Sequence, residues 1–63
     1  MRIRYTGQID LLRGEYEVVK VAHNNEKVNA YETNVSGQDI YICESPGGIR
    51  WRFLASEIEL LGA

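Results

Sequence analysis

Few groups in this chain are able to do chemistry, and they are poorly matched. His23 is the only histidine and stands beside Asn24-Asn25 at the end of an expected strand. Acid–base or nucleophilic work needs an orienting carboxylate and a reacting partner beside the ring. Glu26 is near in sequence, but at a turn a solvated pair is the simpler reading. Cys43 is the only cysteine, between Ile42 and Glu44. A reactive thiol wants a cationic neighbour, so a buried, inert cysteine is expected. Glu15, Glu17, Glu57 and Glu59 alternate along two stretches. Paired carboxylates can move protons or hold a metal, but at this spacing they are the wet face of a strand. Gly47-Gly48 follows Pro46 and leads into no helix, so it marks a hairpin and not a phosphate loop. The expectation is a non-enzyme, with no catalytic residue, no metal and no cofactor.

One constellation is suited to binding. Arg2, Arg4, Arg50 and Arg52 all alternate outward from expected strands. If the first and last main strands lie close, the four form one basic patch, and Tyr31 and Tyr41 add aromatic surface. Arginine clusters of this kind meet acidic protein faces or phosphates. The competing reading is that they pair across strands with Glu57 and Glu59, or with Glu15 and Glu17. Such pairs are ordinary sheet stabilisers, worth about 0.2–1 kcal/mol each.

The stretch from Gly47 to Leu61 must position two of these arginines. Ile49, Trp51 and Phe53 fall on one face of a strand, with Arg50 and Arg52 on the other. Trp51 is the only tryptophan. Burying such a ring removes about 150–250 Å² from water. It is read as the core keystone, with an exposed binding anchor as the alternative. After Phe53 the alternation stops. Leu54-Ala55-Ser56-Glu57 suits a single 3-10 turn. Ile58 and Leu60 then resume the period of two, with Glu57 and Glu59 outward.

Sixty-three residues make one domain, spanning residues 1–63. A chain this short has a small core, and here neither a disulfide nor a zinc cluster is on hand to brace it. A closed barrel or a dimer is the expected remedy. Seven Lys and Arg against nine Asp and Glu leave a net charge of −2, which disfavours a dedicated nucleic-acid binder. No apolar run reaches the roughly 20 residues of a membrane span. Met1 to Tyr5 lacks the apolar core of a signal peptide. A lone free cysteine fits a reducing cytoplasm.

In chain order, Met1 to Tyr5 reads as a strand and Gln8 to Arg13 as an ordered loop. Glu15 to His23 is the strongest strand, rich in β-branched residues. Tyr16 and Val18 share one face, Val19 and Val21 the other, so a bulge or a bend falls near Val18-Val19. Asn24 to Lys27 is a turn. Val28 to Ser36 is a third strand with Val28, Tyr31 and Val35 as its apolar points. Gln38 to Glu44 is a fourth, with Ile40 and Ile42 opposed to Tyr41 and Cys43. Ser45 to Gly48 turns the chain, and Gly62-Ala63 is a short tail. Five or six short strands at this turn spacing predict an all-β protein, a small SH3-like barrel closed by a 3-10 turn and a short last strand.

Gly14-Glu15-Tyr16-Glu17-Val18-Val19-Lys20-Val21, a hydrophilic hairpin, and then Trp51 to Leu61 together resemble short SH3-like barrel proteins of bacterial phages, prophages and mobile elements. The sequence departs from them between Asn24 and Ser36, which is longer and more polar. It also carries Leu54-Ala55 where a proline is common. The resemblance implies the fold and a phage or prophage accessory protein, more than an activity. The groove of eukaryotic SH3 domains for proline-rich peptides does not carry over, since Asp10 is the only acidic residue in the first loop and Ser56-Glu57-Ile58 replaces the tyrosine-bearing turn. The expected function is a small interaction module binding a protein partner in the cytoplasm. A nucleic-acid binder using the arginines, and a subunit that assembles with itself through a strand edge, are the alternatives.

Overall fold

The computed structural model describes residues 1–62; the last residue of the expected tail, Ala63, lies outside them. Five antiparallel strands form one sheet: β1 (Arg2–Tyr5), β2 (Gly14–Ala22), β3 (Ile40–Glu44), β4 (Arg50–Leu54) and β5 (Ile58–Leu61). Their order across the sheet is β4-β3-β2-β1-β5. The protein is all-β, with two 3-10 turns, η1 (Asp10–Leu12) and η2 (Ala55–Glu57). The sheet is not closed into a barrel: β4 and β5 are its two edges. Among the described residues no helix is long and apolar enough to cross a membrane.

Alternation builds the core directly. Ile3 stands opposite Tyr16, and Tyr41 opposite Phe53, so these side chains share the inner face. Ile3, Tyr5, Tyr16, Tyr41, Cys43 and Phe53 form one buried cluster. Phe53 is its centre, with ring centroids 4.8 Å from Tyr5 and 5.0 Å from Tyr16. The tilted and edge-on geometries are those that aromatic quadrupoles favour. The Tyr5 hydroxyl accepts a bond from the Ile9 N–H, and the Tyr16 hydroxyl donates to the Leu12 carbonyl, so both polar tips are satisfied. Gly7 lets the backbone pass against the Tyr5 ring, where a Cβ would collide.

The register slips between Val18 and Lys20, and the bulge changes which face β2 offers next. Beyond it Ala22 stands opposite Ile40, which stands opposite Leu54, all on the outer face. A second cluster, Ala22, Val28 and Ile40 with Ile42 and Leu54 against it, therefore forms on the other side of the sheet. Its cover is the segment from His23 to Asp39.

That segment overturns the expected third strand over Val28 to Ser36. It holds only one isolated bridge pair, Lys27 with Thr33, and folds back on itself. Of its apolar points Val28 is buried, while Tyr31 and Val35 are exposed. Asn34 is the reason. It is fully buried, and its amide nitrogen donates to the carbonyls of Ala22 and Gln38 at 2.9 and 2.8 Å. Its amide oxygen accepts from the Ser36 N–H and hydroxyl. Backbone bonds Asn25 N–H to the Asn34 carbonyl and Asn34 N–H to the Glu26 carbonyl complete the pin. A buried side-chain amide with every group satisfied fixes a loop that no strand partner holds.

Candidate functional site: the open edge of β4

β4 leaves the Ser45–Ile49 turn, whose tightness rests on Gly48 at a φ of 85°. The Ser45 N–H bonds the Ile49 carbonyl, so 45 and 49 form a hydrogen-bonded pair. Bonded pairs recur every second residue, at Cys43–Trp51 and Tyr41–Phe53. The N–H and C=O groups of Arg50 and Arg52 therefore point away from β3, along the open edge. The same phase accounts for the Leu54 N–H, which donates to the Glu57 carboxylate at 2.9 Å.

The core role expected of Trp51 is corrected here. Phe53 is 3% exposed and Trp51 38%. Both stand on the inner face, but Trp51 lies toward the turn, where β4 is an edge and, among the described residues, no strand continues the sheet. Its neighbour Ile49 is exposed as well. Beside them lies a groove of about 440 Å³ lined by Val28, Asn29, Ile42, Arg50, Trp51 and Arg52.

The four arginines do not gather in one patch. Arg2 and Arg4 are on β1, Arg50 and Arg52 on β4, and β2 and β3 run between them. Each has a carboxylate partner. Glu15 takes Arg2 at 3.1 Å and Arg4 at 3.3 Å, and Glu59 takes Arg4 at 3.0 Å. Arg50 meets Glu44 at 3.5 Å, and Arg52 donates twice to Glu32, at 2.9 and 3.1 Å. Hydrogen bonds from Arg2 and then Arg4 hold the Glu15 carboxyl below its ordinary value. Those from Arg52 and Asn29 do the same for Glu32.

The Arg52–Glu32 fork brings the Asn29–Glu32 turn to β4, and Tyr31 stands on that turn with its ring almost wholly in water. Tyr41 is 8% exposed, packed opposite Phe53 and Val21, so it is core and offers no aromatic surface. The residues brought together at the edge are thus Trp51, Arg50, Arg52 and, across the ion pair, the turn that carries Tyr31.

His23 acquires a partner that is remote in sequence: its Nδ1 lies 2.9 Å from Asp39 Oδ1. Glu26, the near neighbour, instead accepts from the His23 backbone N–H. The Asp39 contact holds the imidazole pKa above its ordinary value. The partner of the ring is this carboxylate, and the pair fastens the two ends of the His23–Asp39 segment. Cys43 is fully buried, and burial pushes its thiol up to about 11, the opposite of an activated cysteine. Among the described residues no group of three or more His, Cys, Asp or Glu is arranged to hold a metal.

Compared with protein-family models, curated proteins and solved structures, the chain finds no match.

Proposed function

We propose that this chain is a small, non-enzymatic interaction module that binds a protein partner through the edge of β4. The observation that carries the reading is the state of that edge. Its backbone groups at Arg50 and Arg52 point outward, and the only tryptophan is part exposed beside Ile49 and the groove. Half-exposed aromatics and arginines are the residue types that anchor protein interfaces. A sheet edge adds a ready ladder of backbone hydrogen bonds.

The fold we read behind this is the SH3-like barrel. Support comes from the β4-β3-β2-β1-β5 order and from the 3-10 turn that leads into the short last strand. With the resemblance in the Gly14–Val21 and Trp51–Leu61 stretches, the proposal extends to a phage or prophage accessory protein acting in the cytoplasm. The nucleic-acid reading has less behind it, because each of its four arginines already meets a carboxylate.

The test is affinity capture from a lysate of the source organism, with wild type beside a Trp51→Ser, Arg50→Glu, Arg52→Glu variant. The proposal expects a protein retained by the wild type and lost by the variant. Capture of nuclease-sensitive material would transfer the reading to nucleic acid. Equal capture by both forms would move the contact off β4.

A further inference from the structure

Resting on that reading, we infer that the occupant of the β4 edge is β5 of a second copy of this chain, paired parallel, so that the protein assembles head to tail. The argument begins with backbone phase. The Thr6 N–H bonds the Glu57 carbonyl, so residues 6 and 57 form a bonded pair. Arg4–Glu59 and Arg2–Leu61 follow in the same phase. The N–H and C=O groups of Ile58 and Leu60 therefore point outward from the other edge of the sheet. One edge offers the backbone of Arg50 and Arg52, the opposite edge that of Ile58 and Leu60.

In a parallel pair, a residue whose groups face the partner strand bonds the two residues flanking the one opposite it. Arg52 is then bonded by Ile58 and Leu60 of the second copy and stands opposite its Glu59. This register continues outer face with outer face, since Glu59 shares a face with Arg4, and Arg52 with Ile42. It also sets Trp51 against Ile58 and Phe53 against Leu60 of the second copy. Trp51 and Leu60, both exposed in the single chain, then lie diagonally across the seam on the same face, within reach of an aromatic side chain. Glu59 spends Oε1 on Arg4 and keeps Oε2; Arg52 spends Nη1 and Nη2 on Glu32 and keeps Nε. The new pair displaces neither.

The antiparallel pairings conflict. An antiparallel match of β4 with β5 brings Arg50 or Arg52 level with Leu60 or Ile58, joining outer face to inner. An antiparallel match of β4 with itself sets arginine opposite arginine. For β5 with itself, the register that pairs Ile58 with Leu60 sets Glu59 opposite Glu59. Like charges directly opposed across strands are unfavourable. The unlike edges match in backbone phase, face and charge, and a head-to-tail contact of that kind grows past a dimer into a ring or a filament.

Sedimentation velocity over a wide concentration range tests the proposal, with circular dichroism to check folding. The wild type is expected to climb with concentration to more than about twice the monomer mass. Arg52→Glu and Glu59→Arg, each alone, are expected to stay monomeric. The double variant carrying both restores opposite signs between copies and is expected to assemble again. If the double variant does not fold, an equimolar mixture of the two single variants carries the same test. A wild type that stays monomeric throughout, or a folded double variant that behaves as the singles do, overturns the inference. A monomer that nonetheless captures a protein through β4 removes the second copy and leaves the interaction module standing. A monomer that captures nothing removes both.

Discussion

The two ends of β4 differ although their side chains alternate alike. At the Leu54 end the strand is enclosed. Phe53 stacks against Tyr5 and Tyr16, Ala55 N–H bonds the Asp39 carbonyl, and the Glu57 carboxylate caps the Leu54 N–H. At the Arg50 end the strand is open, with Ile49, Arg50, Trp51 and Arg52 all exposed. Alternation assigns a face; curvature and edge position decide whether that face is covered. The enclosed end holds the fold together, and the open end is left for a contact.

The contrast can be broken most severely at its enclosed end. Phe53→Ala removes the ring that joins Tyr5 and Tyr16 and is expected to cost about 3–5 kcal/mol. A domain this small does not survive that, so circular dichroism should show an unfolded chain without a cooperative melt. A smaller loss is expected from Asn34→Ala, which removes one donor from each of the carbonyls of Ala22 and Gln38 and the acceptor of the Ser36 N–H and hydroxyl. Four side-chain bonds and a buried site make about 2–4 kcal/mol the expected cost. Hydrogen exchange should show the His23–Asp39 segment opening before the sheet.

The charged outer face contributes less, and its pH dependence has a definite sign. Arg2 and Arg4 lower the Glu15 pKa, so this contribution is present above the ordinary carboxylate value and is lost as pH falls through the lowered one. Urea unfolding midpoints of wild type and Glu15→Gln should differ at neutral pH and converge in acid. His23 has the opposite sign. Its pKa is raised by Asp39, so the contribution is full below the ordinary histidine value and is lost as pH rises through the raised one. An NMR titration should place His23 above 6.5 and move it down in Asp39→Asn, with little change in the melt.

The sequence made some of these elements legible and hid others for physical reasons. β1, β2, the Ser45–Gly48 turn and η2 were readable because each is set by neighbours in the chain. The doubled valine at Val18-Val19 announced the register slip that the sheet takes between Val18 and Lys20. The segment over Val28 to Ser36 reads as a strand in the sequence because its hold is a single polar residue. Asn34 draws partners from Ala22, Ser36 and Gln38, and no period marks it. The carboxylate for His23 is hidden in the sequence because Asp39 lies sixteen residues on. Tyr41 and Trp51 exchanged expected roles. β3 is an inner strand and closes over Tyr41, while β4 is an edge and leaves Trp51 part open. The arginines of β1 and β4 form one patch only where those strands lie close, and the strand order keeps β2 and β3 between them.

The claim on which the functional reading stands is that Trp51, unlike Phe53, is not what holds the fold together. Urea unfolding of Trp51→Ala followed by circular dichroism tests it most directly. A cooperative transition, weakened by about 1 kcal/mol, is the predicted result. A loss of about 3 kcal/mol or more, or no folded baseline at all, would make Trp51 part of the core and remove the open edge as a binding surface.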